Sequence, residues 1–174
     1  LLVIRGFLAS GYPGWSPAQV KSALVNTAAR VITDASTGTF GVGPMAQGGG
    51  RENLTAASDA TVSLSPASAS FGRINASKNN ASSFTLTLTN TGAADTFSLS
   101  ATRFAPSAGP LGSFYNAGTT SSGDTRISFP GSVSVGAGAS ATLTMSVEPG
   151  LANGTVVQGW ITLDGTGDND YQFS

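Results

Sequence analysis

Three carboxylates fall within seven residues at Asp164-Gly165-Thr166-Gly167-Asp168-Asn169-Asp170. Oxygen ligands at that density could hold Ca²⁺, a hard cation that collects carboxylates and carbonyls. The spacing departs from a helix-loop-helix calcium site, because Gly165 and Gly167 remove ligand positions and no late Glu follows. A solvated turn before a final strand is the reading the residues favour, with Ca²⁺ at Asp164, Asp168 and Asp170 as the alternative. Asp168 and Asp170 could also form an acid pair. Residues two apart in a turn rarely converge, and no apolar surroundings separate their pKa values. Lys21 and Lys78 could serve as bases toward a Ser, but both stand in polar, solvent-facing contexts. The run Gly48-Gly49-Gly50 could cradle a phosphate. It lacks the G-x-x-x-x-G-K-[ST] frame and a preceding strand.

Wider absences settle more. The chain has 174 residues, no His and no Cys. Without His it carries no Ser-His-Asp or Cys-His machinery of its own. Without Cys it has no disulfide, no thiol nucleophile and no zinc ribbon. No catalytic, cofactor-binding or metal-ligating residue is therefore assigned. Eight Lys+Arg against nine Asp+Glu give a net charge of −1 with no basic run, which argues against nucleic acid. No apolar stretch is long enough to span a bilayer. Charged residues are only 10% of the chain, while 24 Ser and 20 Thr make up about a quarter of it. That composition suits a secreted or cell-surface protein, of bacterial type. A start at Leu1 rather than Met is expected of a fragment or a processed product. Leu1–Ala9 lacks a charged leader and a cleavage site, so it does not read as a signal peptide.

The elements change character near residue 60. Residues 1–33 read as helical. Leu1–Ala9 looks like the tail of one helix, and Gly11-Tyr12-Pro13-Gly14 turns the chain into a second. Ser16-Pro17-Ala18-Gln19 is a helix start, with Ser16 as N-cap, Pro17 at N1 and Gln19 completing a capping box. Val20, Ala23, Leu24, Thr27, Ala28 and Val31 then recur at helical spacing as one apolar face, with Lys21, Ser22, Val25 and Asn26 mostly on the others. Trp15, at the turn into this helix, reads as packing. Residues 34–60 are a Gly-rich connector, with a helical turn at Asn53–Ala57.

From Thr61 onward the period is two. Val62/Leu64, Phe84/Leu86/Leu88, Phe97/Leu99/Ala101, Ile127/Phe129, Val133/Val135 and Ala141/Leu143/Met145/Val147 alternate with Ser and Thr. Thr155–Leu163 and Tyr171–Phe173 complete the set. Such alternation buries one face and wets the other, as in antiparallel sheets. Asn90-Thr91-Gly92, Pro149-Gly150 and Asn153-Gly154 are turns. Seven or eight strands in this length predict a two-sheet sandwich with Greek-key connections; an eight-stranded barrel is the alternative. Residues 105–124 have no pattern and read as a long loop. Asn53, Asn75, Asn80 and Asn153 begin glycosylation sequons of the kind a Ser/Thr-rich chain contains by chance.

The stretch Gly11-Tyr12-Pro13-Gly14-Trp15-Ser16-Pro17-Ala18-Gln19-Val20-Lys21-Ser22-Ala23-Leu24-Val25-Asn26-Thr27-Ala28 resembles the segment that follows the nucleophile helix of subtilisin-like serine proteases. Gly43–Ala57 is similar to the stretch that closes their catalytic domain, with Glu52 where a small apolar residue is commoner. Leu64–Gly72, Phe84–Gly92, Val133–Val147 and Gly154–Leu163 resemble the fibronectin-III-like domain appended to large secreted subtilases, of which the minor extracellular protease type is the nearest in pattern. The resemblance implies two parts. Residues 1–57 would be the remnant of the catalytic domain plus the connector. Residues 58–174 would be a fibronectin-III or immunoglobulin-like antiparallel β-sandwich.

The implied parent hydrolyses peptide bonds through an upstream Ser-His-Asp triad, none of which matches a residue here. The sandwich would brace the catalytic domain of the same polypeptide, or dock a protein substrate or cell-surface polymer. On this reading the face of Val20, Leu24 and Val31 packs on the absent catalytic core. It would then add little to the sandwich's stability and be left exposed. The competing reading is a stand-alone binding module for glycan or protein. Its mark would be an aromatic platform, with Trp160 pointing away from Ile161 toward solvent and Tyr115 and Tyr171 beside it.

Overall fold

The computed structural model of the protein describes residues 14–31, 43–71, 82–104, 120–122, 127–147 and 158–174. The expected helix over 1–9, the turn at 11–13, Lys78, Tyr115 and the sequons at Asn75, Asn80 and Asn153 lie outside the described residues.

Helix α1 (Pro17–Asn26) starts as its sequence dictates. The Gln19 amide donates to Ser16 Oγ, and the Ser16 amide donates to Gln19 Oε1 at 2.8 Å, closing the capping box. It stops at Thr27, whose amide and hydroxyl both donate to Ala23 O, so the helix is shorter than its apolar pattern suggests. Beyond it the chain extends, and Ala29 pairs antiparallel with Arg51. Two short helices follow, α2 (Pro44–Gln47) and α3 (Leu54–Asp59). The second fulfils the expected turn at 53–57, with Asn53 Oδ1 accepting from the Ala56 amide.

The rest is strand: β1 (Val62–Ser65), β2 (Ser82–Asn90), β3 (Asp95–Phe104), β4 (Thr120–Ser122), β5 (Ile127–Ser128), β6 (Ser132–Val135), β7 (Ser140–Val147), β8 (Gln158–Asp164) and β9 (Tyr171–Phe173). They form two sheets. One runs β1-β2-β7-β5; the other runs β4-β3-β8-β9, with β6 also on β3. Every pairing is antiparallel. Strands that alternate between two sheets in this order make an immunoglobulin-like sandwich, not a closed barrel. Of the expected loop at 105–124 only 120–122 are described, and they form strand β4, paired with 102–104. Thr120-Ser121-Ser122 has no apolar residue, so nothing in its pattern marks it as a strand.

Register follows the alternation. Leu86 faces Leu143 and Phe84 faces Met145 across β2 and β7, on the core side. Thr85, Thr87 and Thr89 face Thr144, Thr142 and Ser140 on the wet side. The second sheet contributes Phe97, Ile161, Leu163, Tyr171 and Phe173 to the same core. Each such side chain contributes roughly 1.5–3 kcal/mol when fully buried. Among the described residues no helix is long and apolar enough to cross a membrane.

The N-terminal segment is not left exposed. Val20, Ala23 and Ala28 are buried, Leu24 packs against the sandwich core, and Val31 alone of that face is exposed, at 39%. Ala23, Ala57 and Ala60 belong to one buried cluster with the strands. The expectation that this face is left exposed for an absent core therefore fails for residues 17–28. The sandwich itself covers them.

Candidate functional site

A sandwich of two open sheets has edge strands whose unpaired amides and carbonyls need partners. Here β1 is an edge of the first sheet and β9 an edge of the second. Helix α1 packs against both. A helix has no strand backbone to offer, so the pairing is done by side chains. Ser22 Oγ accepts from the Leu64 amide of β1 at 2.6 Å and donates to Asn26 Oδ1 at 2.8 Å. Asn26 Nδ2 donates to Gln172 O of β9 and to Ala67 O just past β1, both at 2.8 Å. Ser22 and Asn26 stand one helical turn apart, so they share a face. Both are almost fully buried, at 0% and 1% exposure. Sequence reading put them among the polar faces of the helix. Their i, i+4 spacing is the one signal the sequence offers, and it does not distinguish a buried pair from a solvent-facing one.

A second latch lies on the outer face of β8 and β9. Gln172 points away from the core side of β9 yet is buried. Its Nε2 donates to Ala28 O at 2.7 Å and to Gly49 O, while its Oε1 accepts from Arg30 Nε at 2.7 Å. Arg30 Nη2 donates to Thr162 Oγ1 at 3.1 Å, and the guanidinium carbon sits 4.7 Å from the centre of the Trp160 ring. Burial of Arg30 lowers its pKa from the usual arginine value.

The Gly48-Gly49-Gly50 run makes this contact possible. A Cβ on Gly49 would stand 2.8 Å from Val25 O, and one on Gly50, at φ +114°, would strike Ala29 O. The glycines let two backbone segments touch.

Trp160 consequently departs from expectation. It does point away from Ile161, but that side is roofed by residues 28–30 and the ring is 1% exposed. Tyr171 faces the core, 5.9 Å from Phe97 between ring centres. Its hydroxyl accepts from the Thr61 and Val62 amides, both at 2.9 Å, and donates to Asn169 Oδ1 at 2.8 Å. Burial raises its pKa. Trp160 and Tyr171 thus lie in different layers and do not form an exposed platform. Trp15 packs against the core, as its place at the helix start suggested.

The Asp-rich turn between β8 and β9 is organised by a residue that sequence reading passed over. Asp95, at the start of β3, accepts from Thr166 N at 3.1 Å, Thr166 Oγ1 at 2.7 Å, Asn169 Nδ2 at 2.7 Å and its neighbour Thr96 N at 2.8 Å. Desolvation would raise its pKa, but these four donors outweigh it and hold the carboxyl down at about 2. Asp170 accepts from the Gly165 amide at 3.2 Å. Its pKa is raised by desolvation, with the charges of Asp164 and Asp168 adding to it.

Asp168 and Asp170 also line a shallow cleft of about 240 Å³ with Asp59, Asn53 and Tyr171. Among the described residues no three acidic side chains are grouped as metal ligands. Lys21 is exposed, as expected.

No protein-family model matches the chain, and no curated protein matches it. Among solved structures it is similar to the ASH / PapD-like domain of human CEP192 (PapD-like domain 7), at 12% identity and a TM-score of 0.46. That similarity covers 65% of this chain and 82% of that one. The strand order, rather than this distant likeness, carries the fold: an immunoglobulin-like antiparallel β-sandwich with a helix closing the gap between its edge strands.

Proposed function

We propose that this chain is the non-catalytic C-terminal portion of a secreted subtilisin-like serine endopeptidase, and that its sandwich is a brace for the segment that leads into it. The reading rests on the sequence resemblance of residues 11–28, and the brace on the contact that α1 makes with the sandwich through Ser22 and Asn26, where the resemblance alone implies packing on a catalytic core. A module that seizes the chain entering it is suited to holding a preceding domain at a set position.

Catalysis would belong to the parent. With no His, this chain offers no imidazole to take a proton from a Ser nucleophile. Its contribution to peptide hydrolysis is mechanical: to fix the end of the catalytic domain and resist local unfolding. Against the stand-alone glycan-binding reading stands the burial of two of its three platform candidates, Trp160 and Tyr171.

The test is the natural product itself, by N-terminal sequencing and intact mass, followed by fluorophosphonate labelling. The expected result is a longer polypeptide labelled at a Ser upstream of residue 1, with residues 1–174 alone inert toward both casein and the label. A natural product that begins near Leu1, or a label on any Ser of this chain, overturns the proposal.

A further inference from the structure

An arginine half-buried in a folded domain is usually met by a carboxylate, because five N–H donors and a full charge are costly to withdraw from water. Among the described residues Arg30 is met by neutral groups only. Its partners are Gln172 Oε1, Thr162 Oγ1 and the Trp160 ring. Desolvation is the one cause of its lowered pKa, with no carboxylate contributing. Asp164 shares the outer face of β8 two residues beyond Thr162, but it is exposed and takes no part in that shift.

The guanidinium is also held in one orientation. Gln172 could rotate, but Ala28 O and Gly49 O accept both protons of its amide and so turn Oε1 toward Arg30 Nε. Trp160 lies against one face of the fork. Two of the five N–H groups are thereby used, and Nη1 takes neither bond. Hydroxyls flank the site. Ser100 stands opposite Thr162 in register and is exposed, and Thr102 stands opposite Trp160.

We propose that Arg30 is a carboxylate-binding site on the outer face of β3, β8 and β9. Its remaining N–H groups form the fork, and Ser100 and Thr102 are auxiliary donors. A fork fixed before the ligand arrives loses little entropy on binding and suits the two oxygens of a planar carboxylate. One guanidinium neutralises one negative charge, so the site matches a monoanion rather than a phosphate dianion. The inference does not depend on the protease reading.

The chain has two Trp, so Trp15→Phe leaves Trp160 as the sole indole reporter beneath the guanidinium. Its emission is followed while sodium acetate replaces sodium chloride at constant ionic strength, with phosphate and a capped Gly-Glu-Gly peptide as further arms. The expected result is a saturable change with acetate, at a midpoint on the order of 10–100 mM, the range of one charge-assisted pair. Arg30→Lys, which keeps the charge and loses the fork, should weaken it at least tenfold. The Arg30 Nε–H resonance of the unsubstituted protein should move with the same midpoint, so the test survives a variant that folds poorly. A peptide that binds about tenfold tighter than acetate identifies a protein-borne Glu or Asp as the ligand; equal midpoints identify small free carboxylates. Coincident acetate and chloride curves, tighter binding of phosphate, or undiminished binding by Arg30→Lys would each overturn the proposal and leave Arg30 as a structural stack on Trp160.

Discussion

Asn26→Ala is the sharpest perturbation of the seam. The side chain is 1% exposed and makes three hydrogen bonds, two to backbone carbonyls of different sheet margins and one from Ser22. Each is worth about 1 kcal/mol net, which sets a floor of about 3 kcal/mol. Truncation also strands Ala67 O and Gln172 O. A buried unsatisfied group costs about 1–3 kcal/mol, though water entering the gap recovers part of that. The expected loss is about 3–5 kcal/mol, which lowers the melting temperature by roughly 6–20 °C for a chain of this size.

Urea unfolding followed by circular dichroism measures this directly, with an unchanged slope showing that the transition stays two-state. Ser22→Ala closes a double-mutant cycle. Because the two side chains share a bond, the pair should couple by at least about 0.5 kcal/mol. A loss below about 1 kcal/mol for Asn26→Ala, with no coupling to Ser22, would mean that α1 is not seated on the edges in solution and that the seam argument is wrong.

Deleting residues 1–57 should destabilise the sandwich by several kcal/mol and promote association through the bared β1 and β9 edges, read by thermal melts and light scattering. A melting temperature within a few degrees of the intact chain would instead restore the expectation drawn from sequence. Gly50→Ala should cost about 1–3 kcal/mol, since φ +114° and the Ala29 carbonyl both oppose a Cβ, whereas Gly14→Ala, with open space around it, should be nearly silent. Asp95 gives a pH signature. Its carboxyl titrates at about 2 when folded against 3.8 as a free group, so its stabilisation is complete above pH 3.8 and is lost as pH falls through about 2. The stability difference between the native protein and Asp95→Asn should therefore be flat near neutrality and shrink across that acid window. A difference independent of pH down to 2 would refute the assignment.

Much of the sandwich was legible because a strand with one wet face must alternate. Phe84–Leu88, Phe97–Ala101 and Ala141–Val147 announce themselves by period two, and the structure places each of those stretches in a strand with its apolar residues toward the core. The capping box at Ser16–Gln19 was equally legible, since all its partners lie within four residues. Composition alone determined that no imidazole or thiol chemistry resides in this chain. What covers what was not legible. Ser22, Asn26, Arg30 and Gln172 are polar residues of ordinary spacing, and sequence reading leaves such residues in solvent. Only the tertiary structure sets the β1 and β9 edges beside one helix, which turns two surface residues into buried connectors. The same holds for Trp160: alternation correctly turns it away from Ile161, but whether that side is water or protein depends on a segment 130 residues earlier, folded back by Gly49 and Gly50. Local periodicity reports which face a residue occupies. Burial of that face is decided by long-range packing, to which no local pattern is sensitive.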